Sequence, residues 1–401
     1  MAYLSMIRTI LIVALALASI SVDPGEARAS EVTKLTIGYL SIDGDRRYEQ
    51  KRGYAGVQFR PAGRPRDGAT IAMRESRVIG RAVGIQFEML AESVSSGADL
   101  ISALDRMRTK QAVRFFLVDA GASNLLSLAD AAKNRGVVLF NVSERADRLR
   151  GPDCRINIRH VIPSYAMQTD SLAQFLSAKG WRDVFVLVGP NDQDKNLTVA
   201  FENSATRFGL QVVARKNFLL SNDPRHRSEN NVRLMTSGAD HDVVFLADTD
   251  GEFGRYVPYQ TRRPRPVIGT EGLLASAWHW SWERNGAPQL NQRFERRFKR
   301  HMSSVDWAAW VAVKAVVEAV VRTGTTDFTA LQTYLGGSQL TLDGYKGTPM
   351  SFRSWDNQLR QPLLVHTANA VIERTPIRGF FHKTQNLDTL GYDVGDKKCR
   401  F

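Results

Sequence analysis

Short apolar runs rich in β-branched residues alternate with amphipathic stretches along most of the chain, and the series occurs twice. Residues 35–40 read as a buried strand, and 67–83 as a helix with Ile71, Val78 and Ile79 on one face and arginines elsewhere. Strands at 85–90, 113–118 and 137–140 follow, separated by helices over 100–107 and 124–135, the second stopped by Gly136. The pattern restarts at Pro163, which opens a helix running to Lys179 and stopped by Gly180. Strands at 184–188, 211–214, 243–247 and 266–269 come next, separated by helices over 197–208 and 230–236. Beyond them lie helices over 289–301 and 307–321 with no strands, then an irregular, strand-like tail over 342–371. Strands joined by helices of this length specify parallel sheets covered on both faces. The chain is therefore expected to be α/β, with two Rossmann-like lobes and a cleft between them.

In such sheets, ligands sit outside the carboxyl ends of the strands, which fixes where to look for chemistry. The first series delivers Asp119, Ser123 and Asn124 after its third strand, and Ser143, Glu144 and Arg145 after its fourth. The second delivers Asp192, then Asp248, then Glu271. Asp, Asn and Ser at these places also cap helices, so each position alone has a structural alternative. As a set they converge on one cleft. Carboxylates there favour a hard cation, an amine or a polyol, while an organic anion needs an arginine such as Arg145 to intervene. No calcium-loop spacing is present, so no metal-ligand set is assigned. Trp278, Trp280 and Trp282 alternate after the last strand, either lining the cleft or packing where the chain crosses between lobes. Trp307 and Trp310 stand at helical spacing and belong to a core.

Composition narrows the function classes. The 401 residues are 43% hydrophobic and 24% charged, which suits a globular chain of two domains. Lys and Arg outnumber Asp and Glu by 13 (54 against 41), which fits an anionic partner or surface. Residues 1–29 read as a secretory signal: Arg8, an apolar run from Ile10 to Val22, and Ala27-Arg28-Ala29 before a mature start at Ser30. Export places the protein in a periplasm and argues against nucleic acid as partner, and no recognition-helix or zinc-finger pattern restores that idea. There is no nucleophile elbow, Walker loop or metalloprotease motif, so neither an enzyme nor a cofactor is expected. In an oxidising compartment Cys154 and Cys399, the only two cysteines, are expected to pair.

The chain resembles type I periplasmic solute-binding proteins of the branched-chain amino-acid family. The segments that carry the resemblance are Leu35-Thr-Ile-Gly-Tyr-Leu, Gly136-Val-Val-Leu-Phe-Asn-Val-Ser and Val267-Ile-Gly-Thr-Glu-Gly. Val305-Asp-Trp-Ala-Ala-Trp-Val-Ala-Val-Lys and Leu342-Asp-Gly-Tyr-Lys-Gly-Thr-Pro-Met-Ser-Phe complete it. It is more closely similar to the branch serving PQQ-dependent alcohol dehydrogenase systems, through residues 149–160, 278–298 and the Cys399-Arg400 ending. The resemblance implies a hinged pair of lobes, 30–145 with 272–335 and 146–271 with 336–401. It implies an ABC permease and ATPase as partners and a small solute as ligand, with a PQQ-dependent dehydrogenase as a further candidate partner. PQQ itself belongs to the dehydrogenase. A lanthanide or other hard cation is an alternative ligand, and a periplasmic sensor or dehydrogenase accessory protein an alternative role. Glu144 and Arg145 stand where amino-acid binders of this family offer hydroxyls and N–H groups, and the ligand-covering aromatic is replaced around Gln193.

Overall fold

The computed structural model describes residues 33–49, 63–220, 224–226, 229–396 and 398–401; the export segment read from 1–29 lies outside them. The first half builds β1 (Thr33–Ile42), α1 (Arg66–Ala82), β2 (Ile85–Val94), α2 (Gly97–Lys110), β3 (Phe115–Asp119), α3 (Ala122–Ala131), β4 (Val138–Asn141) and β5 (Ile158–His160). The five strands form a parallel sheet in the order β2-β1-β3-β4-β5. All five residues of β3 are buried, the first four of them apolar, as a strand under helices on both faces should be.

A second parallel sheet, β7-β6-β8-β9, is built from α4 (Tyr165–Lys179), β6 (Asp183–Val188), α5 (Asp192–Arg207), β7 (Gln211–Asn217), α6 (Val232–Met235), β8 (Val243–Ala247), α7 (Val257–Gln260) and β9 (Val267–Gly269). In both sheets the strand order turns back beside the first strand, between β1 and β3 and between β6 and β8. That is the switch point at which α/β sheets open a crevice. The remainder supplies β10 (Leu274–Ser276), α8 (Ala287–Phe298), α9 (Ser304–Thr323), α10 (Phe328–Gly336), β11 (Leu363–His366) and β12 (Val371–Thr375). β10, β11 and β12 pair antiparallel in a small third sheet.

Several details depart from the sequence reading. The region after β9 does contain a strand, β10, whose three residues are too few to show a period and are fixed by pairing with β11. α5 starts five residues before Leu197, because Asn191 and Asp194 close a reciprocal capping box. On α1, Ile71 is buried but Val78 and Ile79 are exposed; the inward face is made by Gly68, Ala69, Ile71, Ala72, Met73, Ser76 and Gly80. Small residues let α1 lie close on α9: a Cβ on Gly68 would stand 1.8 Å from the Asp306 carbonyl oxygen. α9 is apolar nearly all round and buries thirteen residues, including Trp307 and Trp310.

The chain returns to the first sheet at several points. β5, from the 146–271 span, joins the first sheet. Leu340, Leu342, Met350, Phe352 and Leu359 pack into the hydrophobic cluster around α9 and the first sheet, and residues 357–359 hydrogen-bond alongside His160. Lys346 is fully buried among these segments. Its ammonium donates to Ala277 O, Gln361 Oε1 and Pro362 O and lies 3.6 Å from the Trp307 ring centroid; burial drives its pKa far down.

Cys154 and Cys399 form a disulfide across 245 residues, tying the C-terminal tail to the segment after β4. Replacing both with serine is expected to cost ~2–4 kcal/mol, because so long a loop is released in the unfolded chain. A urea midpoint equal to wild type's would show that the link contributes nothing. No helix among the described residues is long and apolar enough to cross a membrane.

Candidate functional site

The carboxyl ends of both parallel sheets open onto one cleft of about 790 Å³. The first sheet's wall carries Arg46 and Arg47 after β1, and Ser143, Glu144 and Arg145 after β4. The facing wall carries Asn191, Asp192 and Gln193 at the start of α5, Thr249 and Asp250 after β8, and Thr270 after β9. α4 and β10 close one side with Tyr165, Gln168 and Ser276 among others.

The loop after β4 is held in place by its own sequence. Asn141 accepts the backbone N–H of Ser143 (3.3 Å) and Glu144 (2.9 Å), and its amide donates to Glu144 O at 2.8 Å. The Glu144 carboxylate accepts the Ala146 N–H at 2.9 Å. Beneath it, the buried Arg150 donates to Glu144 O (3.0 Å), Ala146 O (3.2 Å), Ile162 O (2.9 Å) and Gln358 Oε1 (2.9 Å). Short polar side chains and a buried arginine thus turn an irregular loop into a fixed platform.

Behind that platform lies an ion cluster centred on Asp119, which is completely buried. It accepts from Tyr48 Oη at 2.6 Å and Tyr39 Oη at 3.1 Å, and pairs with Arg47 at 3.3 Å and Arg64 at 3.6 Å. Burial, with the Asp119 charge next, pushes both tyrosine pKa values well up. Arg47 also bonds Asp45 at 2.6 Å and Ser143 Oγ at 3.1 Å, and stands 3.9 Å from Glu144. Burial opposes ionisation of Asp45, but the Arg47 guanidinium wins and holds its carboxyl below the ordinary range.

Of the eight residues singled out from the sequence, Ser143, Glu144 and Asp192 line the cleft. Asp119 lies behind the wall, sealed by Arg47 and Tyr48. Asp248 is also fully buried and turns its own loop, accepting the N–H of Gly251 (3.0 Å) and Gly254 (2.6 Å). Ser123 is exposed on α3, Asn124 lies half-buried beside Gly97, and Glu271 packs by Gly254; none of the three lines the cleft. The carboxylates expected to converge on a cation are therefore dispersed. Among the described residues no group of three His, Cys, Asp or Glu is arranged to hold a metal ion. Trp278 and Trp282 are core residues, donating to Asn291 and Tyr345 O, and Trp280 stacks on His301; packing, not ligand contact, explains their alternation.

The sequence reading missed Arg46, Arg47 and Tyr165 as cleft residues. Arg145, noted there only as an intervening arginine, proves central. It is half-buried, and among the described residues its guanidinium has neither a carboxylate partner nor a hydrogen-bond acceptor. Burial lowers its pKa, partly offset by Tyr165, Tyr48 and Glu144. Tyr165 Oη also has no hydrogen-bond partner among the described residues, and burial pushes its pKa up to about 12.

No protein-family model matches the chain, and no curated protein matches it. Solved structures do. A branched-chain amino acid ABC transporter periplasmic ligand-binding protein from Burkholderia xenovorans superposes with a TM-score of 0.66 at 13% identity, covering 85% of this chain and 95% of that one. A leucine-, isoleucine-, valine-, threonine- and alanine-binding protein from Brucella ovis, in its closed conformation, gives 0.66 at 14%, covering 92% and 97%. An ABC-transporter solute-binding protein from Rhodopseudomonas palustris, in complex with 3,4-dihydroxybenzoic acid, gives 0.60 at 12%, covering 83% and 93%. The chain has the type I periplasmic binding protein fold.

Proposed function

We propose that this chain is the periplasmic solute-binding component of an ABC transporter. It captures a small solute in the cleft between its sheets and hands it to a permease driven by an ATPase. The observation that carries this reading is the cleft itself: its walls come from the carboxyl ends of two separate sheets. The fold-mates are ABC-transporter ligand-binding proteins, and the export segment read at residues 1–29 agrees with such a role. The two lobes are 33–162 with the α8–α10 region and 340–359, and 163–271 with the tail, a boundary that follows the hydrophobic clusters. Association with PQQ-dependent alcohol oxidation rests on the sequence segments 149–160 and 278–298. Binding and delivery need no bond-making chemistry, and we assign none.

Closure requires the solute to bind the closed form more tightly than the open one; moving the population from 1:99 to 99:1 takes a preference of about 10⁴. Solution scattering of the mature protein is expected to show a smaller radius of gyration once a ligand saturates the cleft. If no solute that raises the melting temperature also contracts the particle, the binding-by-closure reading fails.

A further inference from the structure

The unused hydrogen-bonding capacity of the cleft is lopsided. Thr249 is spent on Asp194, Thr270 on Leu246 O and the Asp248 N–H, and Ser276 on His366. What remains is mainly donor-type. Ser143 Oγ accepts from Arg47, so its own O–H is available. Asn191 Nδ2, Tyr165 Oη and the whole Arg145 guanidinium have no acceptor among the described residues, and Nδ2 is shut off from solvent. Gln168 offers one acceptor, its Oε1, since its amide N–H goes to Ala275 O.

Each acid of the walls has a partner, although Asp192 remains largely exposed. Glu144 faces Arg47 and takes the Ala146 N–H, Asp192 pairs with Lys195 at 3.2 Å, and Asp250 has a partner of its own. Glu49 and Arg46 stand exposed at the rim. Inside the cleft, then, sits one desolvated cation without a counter-ion, surrounded by donors. Keeping such a charge unpaired is costly, and a bound anion reverses that cost. Arg is the side chain whose planar fork matches a carboxylate bidentately.

We propose that the cleft is built for a small organic acid lacking an α-ammonium group, its carboxylate held by Arg145 with Ser143 and Tyr165. This rests on reading the cleft as a solute site. Arg47 is not the receiver, because Asp45, Asp119, Ser143 and Glu144 already surround it. The ligand's remaining polar atoms meet Gln168 and Gln193.

Three matched sets test it by calorimetry and thermal shift: 4-methylpentanoate, 4-methylpentanamide and leucine; 3-phenylpropanoate, 3-phenylpropanamide and phenylalanine; glycerate, glyceramide and serine. At least one acid is expected to bind at least tenfold more tightly than its amide and its amino acid. Arg145→Gln should weaken that acid about 10–100-fold, as loss of charge-assisted hydrogen bonds does. Arg145→Lys should recover part of the loss. The apo Arg145→Gln protein should melt no lower than wild type, which a merely structural arginine would not allow. The assignment is overturned if no acid binds, if an amide or amino acid binds as well as its acid, or if Arg145→Gln leaves acid affinity intact. Failure of the broader reading looks different: then no member of any set, charged or neutral, contracts the particle in scattering.

Discussion

Replacing Arg150 by alanine is expected to destabilise the protein by ~3–5 kcal/mol, the range seen when one partner of a buried charged network is removed. The side chain is 2% exposed and spends its donors on four acceptors from three parts of the chain: Glu144 and Ala146 after β4, Ile162 before α4, and Gln358 in the returning segment. Alanine leaves those acceptors facing each other in a dry interior and opens a cavity of arginine's volume. Burial lowers the arginine's pKa to about 10, against the opposing pull of Asp147, Glu144 and Asp356. Gln358 would lose its anchor as well, and its amide ties His160 O and Ile162 O at 3.1 and 3.2 Å. Because Arg150 also supports the carbonyls on either side of Arg145, ligand affinity should fall together with stability. Urea unfolding followed by tryptophan fluorescence reads the first effect, and calorimetry the second. A midpoint within experimental error of wild type's would mean that the loop is held by Asn141 alone.

Much of this architecture is written locally. β1, β3, β6 and β8 are apolar runs that no other fold class would place between helices of that spacing, and Gly180 ends α4 in the left-handed conformation that the sequence foretells. β5 and β10 are different. Three residues carry no period, and each exists because a distant strand edge needs a partner, β4 for the one and β11 for the other. The same distinction runs through the site. Strand-end position brought out Ser143, Glu144 and Asp192, which line the cleft. It could not tell Asp119 from them, because whether a carboxylate faces a ligand or a neighbouring arginine depends on Arg47, Arg64 and Tyr48, which lie more than fifty residues upstream. Arg145 shows the converse: its importance lies in what it fails to touch, and no sequence pattern records an absent partner.

Acidification from pH 8 to pH 5 is expected to lower stability through the buried histidines His160, His279 and His366, all held below the ordinary histidine pKa by burial. Burial, with the Arg150 charge next, drives the His160 pKa far below its ordinary value; its Nδ1 accepts from Asn141 at 3.0 Å when the ring is neutral. His279, stacked 4.1 Å from His366, is lowered to about 3 by burial and then by that neighbour. A depressed histidine pKa means that the unfolded chain takes up a proton near pH 6.5 while the native state refuses it. The stabilisation is therefore complete above that pH and is lost as pH falls below it. At pH 5 His279 contributes a loss of ~2 kcal/mol, about 1.4 kcal/mol for each pH unit below its unfolded pKa, and His160 adds to the loss in the same direction. Asp170 acts in the opposite sense. Burial raises its pKa to about 6 despite Arg207, so its protonated form recovers ~1 kcal/mol over the same interval. Urea midpoints at pH 8, 7, 6 and 5 should therefore fall steeply below pH 7. His279→Gln should reduce the slope by about one proton without moving its sign, since glutamine keeps the ring's size and polarity but cannot ionise. A variant whose stability falls as steeply as wild type's would show that His279 protonates freely in the native state, and that the histidine stack is open to water.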